Sequence, residues 1–231
     1  MKYNIRLVAL DLDGTTLNNN HELSEKTIKT LRRISSKVII CIATGRAISA
    51  IKDYANILNL QIPVPIIGFN GTFGFMKYHN DENPAKVFSI PMRENYAREV
   101  LNFCSKHGVL AQYYNGETGE IFAVPTKDEH YAFVKRYSNL IGKSVTFIES
   151  YEDVIKMFPT AKILVMTNDP DTLLLTAKNE LNPDSFNILK GGDYFIEFLE
   201  AGISKGHGLK EMCKIIGKNS SIFFYINQII I

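Results

Sequence analysis

The chain has 231 residues, 45% hydrophobic and 22% charged, with a formal net charge of +2. These are the proportions of an ordinary soluble globular protein with one large or two modest domains, and the near-neutral charge argues for neither a nucleic-acid nor a membrane partner. No run of about 18 apolar residues occurs that would span a bilayer. Met1 to Arg6 precede the first apolar run, too few residues for a signal peptide, and Cys41, Cys104 and Cys213 each lie inside an apolar segment. The cysteines read as reduced core residues, and a cytoplasmic location is the expectation.

Leu7 to Leu10 have the length and composition of a strand buried on both faces, followed by Asp11-Leu12-Asp13 and then Gly14-Thr15-Thr16. Two carboxylates therefore stand at a strand's carboxyl end, the edge where open α/β sheets bind ligands. Unpaired and buried, they repel each other and cost desolvation energy, which a divalent cation or a proton relieves. Ser24 is a good N-cap for a helix striped by Ile28, Leu31 and Ile34. Val38 to Ala43 is a second strand, ending in Thr44-Gly45-Arg46, and a helix follows with Ile48, Ile51, Ala55 and Leu58 as its stripe. Pro65 to Phe69 is a third strand, ending in Asn70-Gly71, which is also a common hairpin turn into Phe73 to Met76. Alternation of strand and helix predicts a parallel sheet with right-handed crossovers.

His79 to Pro84 is polar and proline-terminated, the composition of a linker. Beyond it the pattern predicts strands near Val87–Ile90, Val109–Tyr114, Gly119–Val124, Val145–Ile148 and Lys162–Thr167. Helices are predicted near Glu94–Lys106, Asp128–Leu140 and Tyr151–Phe158, with another opening at Asp169-Pro170. A third block begins near Gly191, with a strand over Tyr194–Leu199 and a helix striped by Leu209, Met212, Cys213 and Ile216. Ser204 caps that helix and places Lys205 in its first turn, where the dipole disfavours a cation unless an anion or carboxylate is close by.

Four segments taken in order, Asp11-Leu12-Asp13-Gly14-Thr15, Ala43-Thr44-Gly45-Arg46, Phe69-Asn70-Gly71 and Gly202-Ile203-Ser204-Lys205-Gly206, resemble the motifs of the haloacid dehalogenase superfamily, specifically its Cof-type sugar-phosphatase branch. The resemblance implies an α/β fold: a Rossmann-like parallel-sheet core formed by 1–82 and 191–231, with an α+β cap inserted at 83–190. It implies Asp11 as the nucleophile that forms an aspartyl-phosphate, Asp13 as the general acid/base, and Lys205 as the balancing cation. Thr44, Gly45, Arg46, Asn70 and Gly71 would bind the phosphate end of the substrate. Magnesium (Mg2+) would be held by Asp11 and Asp13, and a cap closing over a small phosphorylated metabolite, a sugar phosphate by branch, would exclude water.

The family pattern continues past the helix ending near Gly217 into a strand and a motif whose carboxylates complete the magnesium site. Here no aspartate or glutamate follows Glu211. Ile222 to Ile226 reads as a buried strand, and the segment around it as an altered terminus that leaves the core truncated at its C-terminal end. The expectation is a magnesium-dependent phosphatase with impaired turnover. The alternative is a catalytically silent ligand-binding or regulatory protein descended from one.

Overall fold

The apolar run at the start of the chain forms β1 (Leu7–Leu10) in a computed structural model that describes residues 5–217 and the backbone of 223–226. A tight turn over Leu12–Thr16, with Gly14 at φ +67°, redirects the chain into α1 (Glu25–Ile34), which Ser24 caps by accepting from Thr27 N–H at 3.1 Å. Next come β2 (Ile39–Ala43), α2 (Lys52–Leu58), β3 (Val64–Gly68), β4 (Phe73–Lys77) and β5 (Ala85–Ser89). Ile51, Ala55 and Leu58 are buried, as the predicted stripe requires. Ile48 instead lies in a separate 3₁₀ turn before α2.

The middle of the chain is built of α3 (Glu94–His107), β6 (Leu110–Asn115), β7 (Ile121–Ala123), α4 (Asp128–Ile141), β8 (Thr146–Phe147) and α5 (Tyr151–Met157). These are followed by β9 (Thr160–Met166), α6 (Pro170–Glu180), β10 (Phe186–Gly192) and β11 (Phe195–Glu200). The last elements are α7 (Lys205–Ile215) and β12 (Phe223–Ile226). The readings of Met1–Asn4 and of the acid-free tail on either side of β12 lie outside the described residues.

Two compact units result, Met1–Ile90 with Ile203–Ile231, and Pro91–Gly202. In the first, the sheet runs β12-β1-β2-β3-β4-β5, parallel through β3 and antiparallel beyond it. The α/β class with a parallel core is what the alternating pattern predicts. Its core joins Leu7, Ala9, Cys41, Ala43 and Ile67 of the sheet to Leu209, Met212 and Cys213 of α7. All three cysteines are buried and free.

Both expected boundaries shift. The polar segment His79–Pro84 is not a linker between units but the connection of the β4–β5 hairpin, because β5 pairs along β4 from Phe73↔Ser89 to Met76↔Ala85. The break therefore falls after Ile90. Residues 191–202 do not return to the first unit either. β11 hydrogen-bonds to β9, and β10, a strand the sequence reading lacks, pairs with β11 at the edge of the second sheet.

The second unit's sheet runs β10-β11-β9-β6-β7-β8. One face, including Ala111, Tyr113, Ile163, Val165, Ile196 and Phe198, packs on α3 and α6 through Val100, Cys104, Leu173 and Ala177. The opposite parity on β9 and β11 carries Lys162 and Glu197, both buried, with Nζ to Oε1 at 2.5 Å. Burial alone lowers a lysine's pKa, but the Glu197 carboxylate reverses the shift and holds Lys162 charged. No helix among the described residues is long and apolar enough to cross a membrane.

This pair generates a stability prediction. Removing one partner strands a buried charge, whereas removing both does not. Lys162→Met should destabilise the protein by about 3 kcal/mol in urea unfolding, and Lys162→Met with Glu197→Leu should recover all but about 1 kcal/mol.

Candidate active site

β1 ends as its apolar run meets Asp11, and the backbone then turns so sharply that the two carboxylates part company. Asp11 points inward and is 9% exposed. Its Oδ1 accepts from Leu12 N–H at 2.8 Å and its Oδ2 from Lys205 Nζ at 2.7 Å. Its carbonyl accepts from Thr16 Oγ1 at 2.5 Å, which ties down the exit loop. The carboxylate beside Lys205, anticipated from the unfavourable place of a cation at a helix start, is thus that of the first acid in the chain. Ser204 caps α7 by accepting from His207 N–H at 3.1 Å and so sets where Lys205 leaves the helix.

Asp13 faces the other way, and its side chain is 46% exposed. Arg46 grips it with both arms of its fork, Nε to Oδ2 at 2.8 Å and Nη2 to Oδ1 at 2.5 Å. His21 Nδ1 stands 3.4 Å from Oδ1. Partial burial pushes this carboxyl up, but the hydrogen bonds and charge of Arg46, with His21, outweigh it and hold Asp13 below the usual carboxylate range. Arg46, expected beside the phosphate, is therefore bound to an acid.

Thr44 is buried at the end of β2; its N–H donates to Ile67 O at 2.9 Å and its carbonyl accepts from Asn70 N–H at 3.0 Å, which laces the second loop to the third. Its Oγ1 accepts from Arg46 N–H at 3.3 Å. Gly45 lets the Asn70 side chain lie across it, since a Cβ there would stand 2.9 Å from Asn70 Oδ1. Gly71, at φ +108°, lets the third loop touch α7: a Cβ would fall 2.1 Å from Ser204 O. The first unit thus brings Asp11, Asp13, Thr44, Gly45, Arg46, Asn70, Gly71 and Lys205 to the carboxyl ends of β1, β2 and β3 and to the start of α7.

The sequence reading overlooks two members of this arrangement. Tyr54 Oη accepts from Arg46 Nη1 at 3.0 Å and donates to His21 O at 2.8 Å. Tyr54 lies off the apolar stripe of α2, and His21 sits in an asparagine-rich turn, so neither periodicity nor spacing singles them out. A cavity of about 440 Å³ lined by His21, Glu22, Asp53, Tyr54 and Ile57, among others, opens on that flank of the network.

The donor chemistry suits a hard cation. Asp11 and Asp13 supply carboxylate and carbonyl oxygens, and magnesium is commonly held by one or two carboxylates, with water and phosphate oxygens completing the shell. Among the described residues no group of three or more His, Cys, Asp or Glu side chains could hold a metal ion. Because both oxygens of the Asp13 carboxylate are engaged by Arg46, the donors these two residues would offer are the Asp11 carboxylate and the Asp13 backbone carbonyl.

A family model described as haloacid dehalogenase-like hydrolase matches residues 8–224. The 5-amino-6-(5-phospho-D-ribitylamino)uracil phosphatase YitU of Bacillus subtilis is 38% identical over 110 residues, 46% of this chain and 39% of that protein. The crystal structure of a haloacid dehalogenase-like hydrolase from Bacteroides thetaiotaomicron aligns with a TM-score of 0.74 at 23% identity, covering 98% of this chain and 82% of that one. The sugar phosphatase BT4131, of subclass IIB, aligns with a TM-score of 0.70 at 16% identity, covering 95% and 79%.

Two tests follow from the geometry. Arg46→Gln removes the charge that outweighs burial, so the Asp13 carboxyl should titrate at higher pH than in the native protein, read from its carbon NMR signal. Gly71→Ala forces the third loop off the start of α7 and should cost on the order of 2–4 kcal/mol in thermal or urea unfolding.

Proposed function

The chain belongs to the haloacid dehalogenase-like hydrolase family, with a phosphatase's homologues, and from that premise we propose that it hydrolyses a phosphate monoester of a small metabolite through an aspartyl-phosphate on Asp11. The observation that carries this reading is the ion pair between Asp11 and Lys205, two groups 194 positions apart in sequence, at the end of β1.

Asp11 is the nucleophile. One carboxylate oxygen attacks phosphorus, a bond forms from that oxygen, and the bond from phosphorus to the leaving oxygen breaks. Leu12 N–H and Lys205 fix the orientation of the carboxylate, and the ammonium offsets negative charge shared by Asp11 and the phosphoryl oxygens. Asp13 gives a proton to the leaving oxygen and then takes one from the water that attacks the aspartyl-phosphate, whose bond from the Asp11 oxygen to phosphorus breaks to release phosphate and restore the carboxylate. The Arg46 fork, with His21, holds the Asp13 carboxyl below the usual carboxylate range, which favours its role as base. Thr44, Gly45, Asn70 and Gly71 form the loops that receive the phosphate, with Arg46 acting through Asp13. Magnesium, held by Asp11 and Asp13, would supply charge neutralisation on the phosphoryl group.

The substrate class we assign is a phosphorylated sugar or sugar alcohol. It is supported by the phosphoribityl substrate named for YitU and by the sugar phosphatase among the structural neighbours. The three free, buried thiols support a reducing compartment, and we place the protein in the cytoplasm.

Hydrolysis of p-nitrophenyl phosphate with magnesium tests the reading. Asp11→Asn should lose about a thousandfold or more of kcat, and chelation should abolish native activity until magnesium is restored. Equal activity of the two proteins would refute Asp11 as nucleophile, and inactivity of both towards a panel of sugar phosphates would leave the silent ligand-binding protein as the better description.

A further inference from the structure

A two-pronged grip orients a carboxylate only if the guanidinium is itself held, because arginine's stem rotates about several bonds. In this chain the holding group is a phenol. Tyr54 Oη accepts from Arg46 Nη1 at 3.0 Å, and the guanidinium carbon lies 5.5 Å from the centroid of the same ring. The phenol is anchored in turn, since it donates to the His21 carbonyl at 2.8 Å. His21 adopts φ +59°, a left-handed conformation uncommon outside glycine, which turns its carbonyl to Tyr54 while its ring Nδ1 stands 3.3 Å from Arg46 Nη2. Through one hydroxyl, α2 is tied to the loop after β1 and to the loop after β2, and those two loops reach Asp13 through His21 and Arg46.

We propose that Tyr54 is a positioning residue for the acid/base step: its phenol, seated on the His21 carbonyl, fixes the Arg46 fork and thereby the direction in which Asp13 presents its oxygens. The proposal rests on the reading of Asp13 as acid/base. Tyr54 touches no reacting atom and acts only through Arg46. Tyr54→Phe keeps the ring beneath the guanidinium and deletes both hydrogen bonds.

The discriminating readout is the leaving group. Nitrophenolate departs with little need of a proton, whereas an alkoxide requires one, so a misaimed acid slows an alkyl ester selectively. With magnesium present, Tyr54→Phe should lower kcat on glycerol 2-phosphate about tenfold and on p-nitrophenyl phosphate less than about twofold, with KM unchanged for both. An equal loss on both esters, a change confined to KM, or no loss overturns the proposal. Asp13→Asn is run alongside: if it too fails to distinguish the esters, the fault lies in the assignment of Asp13, and the proposal falls with it. A second measurement needs no turnover. Proton exchange at the Arg46 guanidinium, followed by nitrogen NMR, should be slowed in the native protein relative to free arginine and should speed up about tenfold in Tyr54→Phe. Exchange at the free-arginine rate in the native protein would show that the fork is not held and would end the idea.

Discussion

The contact between Lys205 and Asp11 is the constraint on which the first unit's geometry turns. A lysine in the first turn of a helix works against the helix dipole, and an aspartate buried at the end of an apolar strand pays to leave water. Each is the other's remedy at 2.7 Å. For the remedy to operate, α7 must start beside β1 although the whole of the second unit intervenes in sequence. The packing of Leu209, Met212 and Cys213 against Leu7, Ala9 and Cys41 supplies that placement.

Close backbone approach makes the same demand on the loops. Gly71 passes within contact of Ser204, the residue that caps α7, and Gly45 passes under the Asn70 side chain. The loop hydrogen bonds from Thr44 to Ile67 and from Asn70 to Thr44 complete the lacing. These contacts fix Asp11 and its ammonium within one rigid neighbourhood, while Asp13, two residues on, leaves it. The two acids therefore meet different cations, and difference in environment is what allows two carboxylates of one motif to do different chemistry.

The second unit follows another logic. Its sheet is almost wholly antiparallel, one face sealed by α3 and α6 and the other parity carrying the buried pair of Lys162 and Glu197. A buried ion pair adds little net stability over an apolar pair but penalises any arrangement that separates its members. Its place on β9 and β11 ties the expected third block to the insertion, which is where the domain boundary departs from the sequence reading.

By itself the sequence determined the strand and helix alternation of the first unit, the ends at which its polar residues gather, and the capping of α1 and α7 by Ser24 and Ser204. Those features are local: an apolar run, a hydroxyl before a helix and a glycine at a turn act through neighbours a few residues away. It did not determine the hairpin of β4 and β5, whose polar connection has the composition of a linker, nor edge strand β10, whose residues lack alternation. Nor did it show that Arg46 grips Asp13 rather than standing free, or that Tyr54 and His21 steady that grip. Only the tertiary structure decided these, because each depends on groups from separate elements meeting in space, and a pairing that spans tens of residues leaves no periodic trace along the chain.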